Sequence, residues 1–283
     1  MSEHFELRTI ERNFVAEVVE LRLNRELSTS LVEDIKTAWA QHPVLVFPQQ
    51  PLTPNELSRF SRGLGDFGVD PFVRPLAKHQ HVIEVRRETA ESAPIFGASW
   101  HSDWSFQPAP PSGTFLHAQT IPPVGGDTWF GDCYRAFETL PDGLKTLLQG
   151  RFAIHCAAPA DGPKGLFAED DASRSMQIVV STEVEKTECH PIIRTHPVTG
   201  RQGLFINDVY TIAIAGMDQA ESNILLKRLF KHMTRDELVY CHRWQAGMLV
   251  LWDNRCVVHY AGGGYEGYQR IMYRTTLAGE RPT

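Results

Sequence analysis

The stretch Met248-Leu249-Val250-Leu251-Trp252-Asp253-Asn254-Arg255-Cys256-Val257-Val258-His259 decides how the rest of the chain is read. Its first five residues form an apolar, β-rich run that reads as a strand, and Asp253-Asn254-Arg255 has the composition of a turn. Related runs recur at Phe115 to Thr120, Ile192 to Thr195, Leu204 to Ile206 and Arg270 to Leu277. Pro/Gly punctuation such as Pro122-Pro123 and Gly262-Gly263-Gly264 separates them. Strands without regularly interleaved helices argue against a doubly wound sheet. They favour an α+β chain with a closed or sandwiched antiparallel core and peripheral helices.

The helices carry their own signals. Ser30-Leu31-Val32-Glu33 has a capping-box pattern and opens a run with Leu31, Ile35, Ala38 and Trp39 at helical spacing, stopped by Pro43. A strand at Val44 to Phe47 follows. Thr53-Pro54-Asn55-Glu56 repeats the cap with proline at the first helical position, and Leu57, Phe60 and Leu64 supply the stripe before Gly65. Two further helices are expected, from about Asp132 through Leu140 and from Asp218 through Met233.

A chain of 283 residues, 42% hydrophobic and 22% charged, buries enough core to fold without a metal or disulfide. No linker, charge block or repeat marks a boundary, so one domain over residues 1–283 is expected. A net charge of −6 argues against a nucleic-acid partner, because that affinity rests on clustered Lys and Arg. The stretch Met1 to Glu6 lacks signal-peptide character, and no segment reaches membrane-spanning length. The expectation is a cytoplasmic protein with a small-molecule substrate, assembled as a homo-oligomer, with no membrane partner. Five scattered cysteines without CxxC spacing fit neither a disulfide framework nor a thiolate zinc site.

Ser99-Trp100-His101-Ser102-Asp103-Trp104 places an imidazole and a carboxylate two residues apart, where extended backbone points both to one side. A third ligand must come from elsewhere, and His259 is the best candidate. Two imidazoles and one carboxylate leave three coordination positions free, enough to chelate an α-keto acid and admit O₂ at Fe(II). His79, His81, His155, His190, His196 and His242 lack comparable spacing and read as structural. Arg270, Met272 and Arg274 alternate along their strand and share one face, while Ile271 and Tyr273 share the other. Two arginines on an inward face each need an anion.

These motifs resemble the taurine dioxygenase/TfdA-type family of Fe(II)- and 2-oxoglutarate-dependent oxygenases. The resemblance rests on Trp100-His101-Ser102-Asp103, Gly125-Gly126-Asp127-Thr128, Arg194-Thr195-His196-Pro197 with Leu204-Phe205-Ile206-Asn207, and Trp252-Asp253-Asn254-Arg255 through His259, Arg270 and Arg274. It implies a distorted jelly-roll, or double-stranded β-helix, core with flanking helices. His101, Asp103 and His259 are then the iron ligands and catalytic centre, with Thr128 and Arg270 holding the distal carboxylate of 2-oxoglutarate. O₂ is the second co-substrate, and Arg274 meets the anionic end of the primary substrate. The implied reaction hydroxylates a small anionic or zwitterionic molecule (a sulfonate, sulfate ester, aryloxyalkanoate or amino-acid-like compound), with release of succinate and CO₂.

The chain departs from the family at the substrate end. Where the taurine enzymes carry a histidine before proline, this chain has Asp70 before Pro71; a nearby tyrosine becomes Val73, and an asparagine four residues before the HxD becomes Gly97. Asp70 is therefore expected either to bind a cationic or hydroxylated substrate group or to serve as a cap or turn residue outside the pocket. Tyr210 and Trp104 are candidate pocket walls. A non-catalytic jelly-roll binding protein and a zinc-dependent hydrolase with the same ligand set remain the alternatives.

Overall fold

Leu249–Asp253 is a strand buried along its whole length because both of its edges are paired and both of its faces are packed. The structure, a computed structural model, describes residues 4–11, 13–162, 165, 174–179 and 182–283. The first three residues of the N-terminal stretch read above therefore lie outside the described residues.

Leu249–Asp253 belongs to an eight-stranded sheet. Its spatial order is Glu6–Glu11, Val15–Val19, Val44–Phe47, Leu249–Asp253, Gly113–Thr120, Arg270–Leu277, His79–Arg87, Pro75–Leu76. The one parallel pair is Val15–Val19 with Val44–Phe47; the other pairs are antiparallel. On one face Leu249, Leu251, Phe115 and Phe47 pack with Ile35, Trp39, Leu57 and Phe60 of the helices Thr29–Gln41 and Pro54–Leu64. On the other, Val250, Trp252, Leu116 and Met272 meet Phe130 and Val257. Truncating a side chain such as Leu251 to Ala would cost about 2–5 kcal/mol.

Phe130 and Val257 come from a second sheet of three antiparallel strands, Val239–His242, Thr128–Asp132 and Val257–Ala261 in that order. A third sheet sets Phe152–Cys156 between Thr211–Ile214 and Thr187–Pro191, and Ile193–Thr195 pairs with Gln202–Leu204. The helix Gln219–Met233 covers a further core with Cys133–Glu138 and Asp142–Leu148. The architecture is a mixed α and β fold. No described helix is long and apolar enough to cross a membrane.

Local expectations meet the structure with a few shifts. Val44–Phe47, Arg270–Leu277 and the reciprocal Thr53/Glu56 capping box stand as read. The first helix is capped by Ser28, whose side chain accepts from the Leu31 N–H, so it starts before the Ser30 box. The strand expected at Leu204 to Ile206 is Gln202–Leu204, and the helix expected through Leu140 stops at Glu138. His259 follows the 248–252 run and its turn, and sits on a strand of its own, Val257–Ala261.

Candidate metal and substrate site

An isolated antiparallel bridge builds the site. His101 N–H donates to the His259 carbonyl at 2.9 Å and His259 N–H to the His101 carbonyl at 2.7 Å. The two imidazoles therefore lie side by side, ring centres 4.2 Å apart. Trp252, at 4.6 Å, flanks the His259 ring. Asp103 follows two residues after His101, and Trp104 then turns the chain with φ of 46°, a conformation unusual for a bulky residue and frequent at functional sites.

Asp103 Oδ1 lies 3.6 Å from His101 Nε2 and 3.8 Å from His259 Nε2, and one ligand atom from each residue falls within 4.8 Å of the others. These separations exceed a hydrogen bond and leave a gap bounded by three donor atoms. The Ser99 carbonyl, 2.7 Å from His101 Nδ1, draws the proton there and leaves the Nε2 lone pair facing Asp103. Asp103 Oδ2 accepts from Thr114 Oγ1 at 2.5 Å, and Thr114 accepts from Asn254 Nδ2 at 2.8 Å. Asn254 Oδ1 accepts from Trp252 Nε1 at 3.0 Å. Burial alone would raise the Asp103 carboxyl, but Arg274, His259 and His101 together hold it well below the usual range. Burial, reinforced by His101, holds His259 well below its ordinary value, so the imidazole stays neutral.

Thr128 and Arg270 line the same partly open pocket as the three donors, with Arg274, Gly97 and Leu116. Arg270 is 5% exposed, and among the described residues its Nε and Nη2 have no hydrogen-bond partner. Burial pulls its pKa down, and the opposing pull of Tyr265 and Asp127 does not make up for it. The turn Gly125-Gly126 shapes this end. Both residues have positive φ, and a Cβ on Gly126 would stand 3.3 Å from Arg270 Cδ and Nε. Thr128 Oγ1 accepts from Trp244 Nε1 at 2.9 Å, which leaves its own proton for another acceptor.

Arg274 stands between two carboxylates, with Nη1 3.0 Å from Asp70 Oδ1 and Nη2 3.0 Å from Asp103 Oδ1. The second is an ion-pair contact without an aligned hydrogen bond, since Nη2 has no partner by hydrogen-bond geometry. Asp70 also accepts from Trp104 Nε1 at 2.6 Å and from Thr276 Oγ1 at 3.1 Å. Asp70 is thus neither a helix cap nor remote from the site; it is the internal counter-ion of Arg274. Trp104 lies under the Arg274 guanidinium, and Tyr210 stands with its ring centre 6.3 Å from that of His101. Both line a small adjoining recess with Phe96, Gly97 and His101. A Cβ on Gly97, where φ is +79°, would come within 3.3 Å of His101 Cε1 and 3.9 Å of Nε2, so glycine keeps that flank open.

Two supporting residues escaped the sequence reading. Thr114 looks like any strand residue and Asn254 like part of a turn; the buried acid Asp161 likewise has no motif around it. Among the histidines read as structural, several are held by local contacts. His196 Nε2, for instance, bonds Asp253 Oδ2 at 3.0 Å while its Nδ1 accepts two backbone N–H groups. A wider groove beside the helix Gln219–Met233, lined by Trp100, Leu226, Phe230 and Val258 among others, presents no histidine or cysteine.

Two imidazoles and a carboxylate around a gap, beside a buried unpaired arginine, form the donor set of mononuclear non-haem oxygenases. The comparison with known proteins specifies the class: residues 6–276 match the model of the taurine catabolism dioxygenase TauD, TfdA family, and the chain belongs to that family. It is 32% identical over 284 residues to an alkylsulfatase from Acinetobacter baylyi, covering 100% of this chain and 87% of that one. It is 34% identical to an alpha-ketoglutarate-dependent 2,4-dichlorophenoxyacetate dioxygenase from a Burkholderia species, over 95% of this chain and 92% of that one. A taurine dioxygenase structure from Burkholderia xenovorans superposes with a TM-score of 0.82 at 28% identity, covering 99% and 92% of the two chains. The chain is accordingly an enzyme of the 2-oxoglutarate-dependent dioxygenase class.

Proposed function

We propose that His101, Asp103 and His259 hold one Fe(II) ion, that Arg270 and Thr128 receive the distal carboxylate of 2-oxoglutarate, and that Arg274, Trp104 and Tyr210 border the primary substrate. The observation that carries this reading is the coincidence, in one pocket, of a three-donor gap and a buried guanidinium without a partner. The donor chemistry fits: two neutral imidazole nitrogens and a carboxylate kept ionised suit a divalent iron, and an unpaired arginine suits a dicarboxylate. Bound there, iron supplies the redox chemistry by which 2-oxoglutarate and O₂ yield succinate and CO₂ while a substrate C–H becomes C–OH.

The chain's own residues orient and shield. The Ser99 carbonyl fixes the His101 tautomer, and Thr114 with Asn254 fixes the rotation of Asp103. Trp252 and Phe130 exclude water from His259. Arg270 offers two N–H groups to a carboxylate, and Thr128 a hydroxyl beside them. The two facing sheets then form the distorted jelly-roll of a single domain. The names of the relatives, alkylsulfatase and dichlorophenoxyacetate dioxygenase, support a small anionic or zwitterionic organic substrate.

Anaerobic titration of the protein with Fe(II) and 2-oxoglutarate tests the reading. A weak visible charge-transfer band is expected, absent in Asp103→Ala and shifted to much higher 2-oxoglutarate concentration in Arg270→Met. A wild-type protein that binds iron but develops no band would refute it; a hydrolytic activity with zinc would support the zinc-hydrolase alternative instead.

A further inference from the structure

Asp161 closes the short helix Ala158–Asp161, and its residue is 1% exposed. Among the described residues, neither carboxylate oxygen has a hydrogen-bond partner. Its chain neighbours Ala157 and Ala160 pack in one apolar cluster with Trp104, Tyr210, Met176 and Ile178. Tyr210 and Trp104 are the walls of the recess beside His101. Asp161 acts electrostatically on both sides of that recess, on His101 and on the Tyr210 hydroxyl. Burial pushes its carboxyl up to about 7.

A carboxyl taken wholly out of water without a donor is an energetic liability, and such groups persist where a ligand completes them. Asp70 does not fill that role, because Arg274, Trp104 and Thr276 already engage it. Arg274 is in turn balanced by Asp70 and Asp103. Besides the two carboxylates that Arg274 engages, the region behind the Trp104 and Tyr210 walls therefore holds a third acid, Asp161, that no described side chain engages. We propose that Asp161 is a specificity-determining residue that receives an amine-derived cation of the primary substrate. The substrate is then an ammonium-bearing molecule whose cationic group approaches between Tyr210 and the Ala158–Asp161 helix. The inference rests on the site reading given above, and it replaces Asp70 by Asp161 as the acid that selects a cation.

The test compares matched pairs that differ only in the amine: L-phenylalanine with 3-phenylpropanoate, and 3-aminopropanesulfonate with propanesulfonate. Each is titrated anaerobically into the enzyme carrying Fe(II) and 2-oxoglutarate, and affinity is read from the perturbation of the charge-transfer band. At least one amine-bearing member should bind about tenfold or more tightly than its partner, the scale of a hydrogen bond to a charged group. Asp161→Asn should abolish that preference, leave the affinity for 2-oxoglutarate unchanged and raise Tm, since no native partner is lost; Asp161→Glu should keep part of the preference. The proposal is overturned if the amine-free members bind equally well, if no amine-bearing probe binds, if Asp161→Asn keeps the preference, or if that variant melts lower or fails to fold. An absent charge-transfer band in the wild type before any probe is added would sink the iron reading instead. In that event the same pairs are ranked by the thermal stabilisation they confer, with the same outcomes deciding Asp161.

Discussion

Two buried His–Asp clusters lie on either side of one turn, and they are built for opposite ends. In the first, His101, Asp103 and His259 surround a gap, with nitrogen-to-oxygen separations of 3.6 and 3.8 Å. In the second, His196, Asp253 and Cys256 also bring their ligand atoms within 4.8 Å of one another, yet His196 bonds Asp253 at 3.0 Å and Arg255 grips both Asp253 oxygens at 2.8 and 2.7 Å. The residue types alone would suggest a metal in either place. What separates them is unspent hydrogen-bonding capacity: every Asp253 oxygen is engaged, whereas Asp103 Oδ1 meets only donors too distant or too poorly aligned to satisfy it. The alternation of Trp252, Asp253, Asn254 and Arg255 sends Asn254 toward the first cluster and Asp253 with Arg255 into the second.

Breaking the first cluster should produce the largest effect. His259→Ala removes one of the three proposed ligands and should lower iron affinity and succinate formation by more than about 100-fold, the upper range for losing even a supporting residue. Folding should be retained, because the main-chain bridge to His101 does not need the imidazole. Metal content measured beside a thermal melt checks this, and wild-type iron stoichiometry in the variant would remove His259 from the ligand set.

Breaking the second cluster should instead cost stability. Burial would raise the Asp253 carboxyl, and Arg255 with His196 is what holds it far below the usual range. Arg255→Ala leaves that charge buried with only His196 and the backbone N–H of residue 255 as partners and should destabilise the protein by about 3–5 kcal/mol. Iron binding per folded molecule should not change. Denaturant unfolding alongside metal titration separates the two, and lost metal affinity at full stability would show that the clusters are not independent.

How much of this was legible in the sequence follows from the same contrast. The HxD, the alternating Arg270 and Arg274 and the capped helix at Thr53 are local patterns, so they survive translation into structure. The strands Val257–Ala261 and Thr128–Asp132 were not read as strands. Their residues are held by pairing across more than a hundred positions of sequence, and Gly131 and Asp132 weaken the local pattern. Asp70 was read either as a partner for substrate or as a cap or turn residue outside the pocket, because its loop gave no hint of Arg274, which arrives from the far end of the chain. Whether a His–Asp pair is open or closed depends on third parties such as Thr114 and Arg255, and no spacing rule contains them.

Asp161 gives a smaller effect whose sign is set by pH. Its folded-state pKa, near 7, lies above its ordinary value, so the native protein holds a proton that the unfolded chain has released. Stability should fall as pH rises from about 4 to about 7 and level off above that. Asp161→Asn lacks this slope, so its advantage over the wild type should grow across the window by about 1–4 kcal/mol, the upper figure being the whole shift. Melts of both proteins from pH 4 to 8 test it, and a pH-independent difference would mean the carboxyl has a partner in the folded state.

The finest test sharpens the comparison without destroying either cluster. Thr114 Oγ1 donates to Asp103 Oδ2 and accepts from Asn254 Nδ2, so it fixes which Asp103 oxygen faces the histidines. Thr114→Val keeps the shape of this fully buried residue but removes the hydroxyl, leaving Asp103 Oδ2 and Asn254 Nδ2 unpaired. Iron affinity should fall by about tenfold, the lower end of what such supporting contacts contribute. The second cluster makes no contact through Thr114, so the Arg255-dependent part of stability should stay as it was: the cost of Arg255→Ala should be the same, within about 0.5 kcal/mol, in wild-type and Thr114→Val backgrounds. Coupling between the two substitutions well beyond that would mean that the turn carrying Asp253 and Asn254 transmits strain from one cluster to the other, and that the closed pair sets the geometry of the open one.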